Sequence, residues 1–80
     1  MKLIEFRLID IKDGISPIIT FRGMISISPE SVQGVFEILD RHEHVIKDIA
    51  GIRFKTQDQV IVGESYKDVV EKINANSFDV

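Results

Sequence analysis

The chain has no cysteine and no tryptophan. Without cysteine there is no disulfide framework, no thiolate nucleophile and no cysteine-bound metal. An unstapled chain of 80 residues must therefore rest on its hydrophobic core or on a partner subunit. Glycine is sparse and scattered singly, at Gly14, Gly23, Gly34, Gly51 and Gly63, so no loop is built to cradle a phosphate. No run of 18 apolar residues exists, which excludes a membrane-spanning helix. The opening MKLIEFRLID interrupts its apolar residues with Glu5, Arg7 and Asp10, whereas a secretory signal needs an unbroken apolar stretch. A cytoplasmic location is the expectation. There is also no basic excess. A formal charge of −3 and a pI near 5.2 argue against a general nucleic-acid binder, yet are too mild for a DNA mimic.

What is present is a globular composition, 44% apolar and 29% charged. The length suits one domain, residues 1–80, with 77–80 read as a flexible tail. A chain of this size buries only about 60–65% of the surface its unfolded form exposes, so its core is thin.

The order of elements follows from periodicity. Ile4, Phe6 and Leu8 alternate with Glu5 and Arg7, the period of a half-buried strand. IKDG (11–14) is a turn, and Pro17 marks the start of the next strand. IITFR (18–22) and MISI (24–27) flank Gly23. Two short strands meeting at Arg22-Gly23 are expected there, with a bulge in one long strand as the alternative. Ser28 and Pro29 open a short helical turn over 29–34. VFEILD (35–40) returns to strand, RHEH (41–44) is a polar tip, 51–56 is a strand, QDQ (57–59) a turn and VIVG (60–63) the last strand. Ser65 caps a C-terminal helix over 65–75, with Asp68 at the positive end of its dipole. Tyr66, Val69, Val70 and Ile73 form its apolar stripe. The fold expected is α+β: a small antiparallel sheet of five or six short strands, with the helix packed on one face. One helix leaves part of that sheet uncovered.

Few constellations point to chemistry. His42 and His44 stand two apart on the polar tip, and on a strand they would share a face where two imidazoles can meet one metal. Without further ligands a solvated tip is the simpler account. Ser28 and Ser65 are explained as caps, and no Gly-x-Ser-x-Gly elbow exists. No catalytic residue, cofactor or small-molecule substrate is indicated, and a chain this small hardly builds a deep pocket. Arg7, Arg22, Arg53 and Lys55 interleave with Phe6, Phe21 and Phe54, a pattern that can stack bases. Alternation sends the aromatics inward and the cations outward, so nucleic-acid binding is disfavoured. Phe78 in the tail is either tucked in or held for a partner.

One resemblance emerges from the pattern. ITFRGMISISPESVQGV carries Thr20, Gly23, Ile25, Ile27, Pro29, Glu30, Val32 and Val35. Further on come Ile52, Phe54, Val60, Val62, Glu64, Ser65, Val69, Val70 and Ile73: a strand, a turn, then Val-x-Glu-Ser and a helix. Over residues 19–73 this resembles the small flagellar and swarming-motility proteins of the FlbD/SwrD-like family. The N-terminal strand 2–13 and the longer middle, 36–51, depart from it and leave a phage or mobile-element relative as the alternative. The resemblance implies no catalytic residue and no cofactor, and a role played through protein contacts. The expectation is a small non-enzymatic protein that binds a protein partner or itself. The alternative is an accessory protein that binds nucleic acid or the transcription machinery.

Overall fold

The computed structural model describes residues 3–12 and 14–77. Five strands form one sheet: β1 Ile4–Lys12, β2 Ile18–Ile27, β3 Val32–Phe36, β4 Ala50–Phe54 and β5 Gln59–Val62. A 3₁₀ turn, Pro29–Ser31, joins β2 to β3, and the helix α1 spans Tyr66–Ser77. The order across the sheet is β2-β1-β5-β4-β3, with every neighbouring pair antiparallel. The α+β fold expected from the sequence is the one found.

The order forces a shape. β2 and β3 are the two edges, yet only residues 28–31 connect them. A flat five-stranded sheet is about 19 Å wide between its edge strands. A connector this short, wound into a 3₁₀ turn, reaches about 13 Å. The sheet must therefore curl, bringing the start of β3 toward the end of β2. The narrow cross-section, 23 × 21 Å against a length of 46 Å, agrees with this.

Curling creates an inside. Ile4 and Phe6 of β1, Ile27 of β2, Ala50 and Ile52 of β4 and Val62 of β5 fill the concave face, and Val69 of α1 plugs it. The cross-strand pairs Ile4–Ile27, Phe6–Ile25, Val62–Ala50 and Val35–Ile52 place these residues on one face, as the alternation requires. Ser65 caps α1, its Oγ accepting from the Asp68 amide at 3.2 Å. Lys72 pairs with Glu64 at 2.6 Å and lies 5.3 Å from the centre of the Phe6 ring, closing the helix over the core.

The convex face has a cover of its own. Ile9 and Ile49 are buried although neither belongs to the concave core. Segment 37–49 folds back over this side, held by a bond from the Ile46 amide to the Ile38 carbonyl and by the bridge Leu39–Val45. Phe36 rests on Gly51, where any Cβ would collide with its ring. The single-layer picture thus needs amendment, because the middle of the second face is covered as well.

Several boundaries differ from the sequence reading. The short helical turn expected over 29–34 closes at Ser31; β3 begins at Val32 and takes in Gly34, because pairing with β4 supplies more hydrogen bonds than a second turn. The strand expected over 35–40 ends at Phe36, where the chain leaves the sheet. α1 runs on to Ser77, two residues past the expected end, with Asn76 Nδ2 donating to the Lys72 carbonyl at 2.8 Å. The rest of the expected tail, 78–80, lies outside the described residues.

Candidate protein-contact site

β2 is where the sequence reading and the structure part most clearly. It is one strand of ten residues rather than two short ones. Its register against β1 jumps between Leu8–Gly23 and Ile9–Phe21, leaving Arg22 as an extra residue. Gly23 sits at φ +113°, a backbone conformation open to glycine and strained for other residues. One inserted residue reverses the facing of everything beyond it. Ile25 and Ile27 face the concave core, and unbroken alternation would carry Phe21 there too. The bulge turns Phe21 to the convex side instead, opposite Ile9, in a row with Met24 and Ile19.

That side is not covered at β2. Ile19 is 46% exposed, Phe21 59% and Met24 57%; Ile18 on the other face is 59% exposed and Ile15 in the turn 92%. From Ile15 to Ile27 the only charge is Arg22, which pairs with Asp10 at 3.4 Å. β2 is also an edge, with β1 on one side and, among the described residues, no strand on the other. Edge strands are commonly protected by charge or by brevity. This one has a single bulge and Pro17 before its first residue, and otherwise offers apolar side chains beside a free strand edge. A groove of about 360 Å³ runs between Ile19 and Phe21 on one wall and Lys47, Asp48 and Ile49 on the other.

The residues singled out for nucleic acid do not converge. Arg7 lies opposite Gly63, its Nη2 3.4 Å from the Gly63 carbonyl. Arg53 lies opposite Gln59, whose amide oxygen accepts from Arg53 Nε at 3.1 Å and Nη2 at 2.6 Å in its satisfied orientation. The two arginines are thus four residues and two strands apart, about 16 Å. Arg22 turns to Asp10, and Lys55 stands in the turn after β4. Phe21 is the misplaced aromatic: it was expected in the core and the bulge puts it outside. Phe78 lies outside the described residues.

His42 and His44 occupy the expected polar tip, which Asp40 organises. Its Oδ1 accepts from the His42 amide at 2.8 Å and the His44 amide at 3.0 Å. The His44 bond above all holds the Asp40 carboxyl below the usual aspartate value; the His42 bond adds to it and partial desolvation opposes both. The two imidazoles are exposed, 6.4 Å apart and tilted. Among the described residues no group of three or more His, Asp or Glu side chains is placed to hold a metal. Among the described residues, clefts of about 310–420 Å³ open on the surface, and no histidine lines those between the strands, the 37–49 segment and the helix. No helix among the described residues is long and apolar enough to cross a membrane.

No family model, curated protein or solved structure matches the chain.

Proposed function

We propose that this is a small, non-enzymatic protein-contact module whose working surface is the edge strand β2. A motility-related role is the context that the resemblance of residues 19–73 implies, and it rests on that resemblance alone. One observation supports the reading most: Ile19, Phe21 and Met24 stand exposed in a row on a free strand edge with a single charge. The bulge at Arg22 is what brings Ile19 and Phe21 to the side on which Met24 already lies. Without the bulge Phe21 would face the side that Ile18 and Thr20 now hold; the bulge sets it in the apolar row instead. An exposed apolar row suits a surface that another protein covers. Strand addition at such an edge supplies main-chain hydrogen bonds, while the apolar row supplies specificity.

A photoreactive amino acid placed at Phe21 tests this in living cells. Gln57, exposed on the β4–β5 turn at some remove from β2, is the control position. Position 21 is expected to yield a discrete protein adduct, and position 57 none above background. Equal labelling at both positions, or none at 21, would count against the edge strand as the working surface.

A further inference from the structure

We infer that the occupant of this edge is a second copy of the chain, paired β2 to β2 about a twofold axis through Thr20. The inference rests on the reading of β2 as the contact surface and adds the identity and register of the partner. Residues Ile18–Phe21 form the regular stretch of β2 before the bulge. Antiparallel self-pairing centred on any residue keeps facing residues on common faces; centring on Ile19 would set Phe21 against Pro17, whereas centring on Thr20 sets Ile19 against Phe21. Thr20 then meets Thr20 of the other copy. Ile19 meets Phe21 of the other copy, and Phe21 meets Ile19, so the two apolar rows join into one of four residues. Aromatic–β-branched pairs and Thr–Thr pairs are among the favourable cross-strand neighbours. A twofold about this point is self-complementary, as an isologous dimer requires.

Charge raises no objection. The single cation on the stretch, Arg22, falls opposite Ile18 of the other copy and keeps Asp10 as its counterion. The two Arg22 side chains lie four residues apart along the joined strands, about 13 Å, beyond a Debye length at physiological salt. Centring the pair on Phe21 would instead set Ile19 against Gly23, across the bulge, and break the row. The same register carries Ile15 of one copy toward Met24 of the other. Complete burial of Ile15, Ile18, Ile19, Phe21 and Met24 would remove at most about 600 Å² per copy, at or below the lower end of what a specific interface needs. The dimer is therefore of modest affinity, populated at tens of micromolar and above, on the order of what such small interfaces give.

The absence of cysteine makes the register directly testable. In T20C the two new thiols face each other across the axis, with Cα atoms about 4.5–5.5 Å apart, inside the range a disulfide spans. Mild oxidation of T20C is expected to give a covalent dimer, while S26C, on the same strand and away from the axis, stays monomeric. In sedimentation equilibrium up to millimolar protein, the unmodified chain should dimerise and F21K should weaken that at least about tenfold. F21K replaces an exposed side chain, and unchanged circular dichroism would show that it still folds. A chain that stays monomeric at millimolar concentration, or dimerises without forming the T20C disulfide, overturns the inference. Failure here combined with an adduct to a different protein from position 21 leaves the contact surface standing and removes only self-pairing. Failure together with an unlabelled position 21 removes both.

Discussion

Replacing Val69 by aspartate is expected to unfold the protein at 25 °C. Val69 is fully buried and packs from α1 onto the face lined by Phe6, Ile52 and Val62. An unpaired carboxylate there costs several kcal/mol after relaxation. Position 69 lies near the helix N-terminus, and the dipole would return only about 0.3–1 kcal/mol. A domain this small commonly has no more than about 3–5 kcal/mol to lose. The control is on the same helix: Tyr66 is 42% exposed, so Tyr66→Asp should cost less than about 1 kcal/mol. Urea titration followed by circular dichroism separates the two. A Val69→Asp chain that unfolds at the wild-type midpoint would mean that α1 does not close the core.

Gly51→Ala is the second large effect, and its sign depends on one neighbour. The added methyl would collide with the Phe36 ring, so the ring must swing off the sheet, at a cost of about 1–3 kcal/mol. With Phe36 truncated to alanine the obstacle is gone. The same glycine substitution should then be neutral or stabilising by up to about 1 kcal/mol, because alanine loses less backbone entropy in a strand. A denaturant double-mutant cycle should therefore show a coupling of about 1–3 kcal/mol between positions 36 and 51. Strict additivity would mean that the ring does not sit on the glycine.

Element types were legible in the sequence because each rests on local chemistry. Ile4, Phe6 and Leu8 alternate as a strand, Ser65 opens the final helix, and Asp40–His44 makes a polar turn; all are found so. On the α1 stripe Val69 is fully buried and Ile73 packs against the core, while Tyr66 is 42% exposed and lies beside segment 45–49. The cover on the convex face was not legible. Ile38, Ile46 and Ile49 show no strict period, and their burial depends on a chain reversal held by long-range contacts.

The exposed row on β2 was hidden for a different reason. Arg22-Gly23 signalled an irregularity, and glycine within a β-branched run is the usual mark of a bulge. A break and a bulge look alike in sequence, yet only the bulge reverses the facing of the residues before it while keeping them in the same strand. On that distinction turns whether Ile19 and Phe21 share a face with Met24. The register against β1 decides it, and register is a property of the pair of strands.

Thiol accessibility in dilute solution measures that facing directly, in a chain with no cysteine of its own. Single cysteines at Phe21, Met24 and Ile25 are modified with a small alkylating reagent under native conditions. With the parity reversed at Arg22, cysteines at 21 and 24 should react nearly as fast as in an unfolded peptide, and the one at 25 far more slowly. A protected cysteine at 21, matching 25 while 24 reacts freely, would restore simple alternation and remove the exposed row on which the contact surface depends.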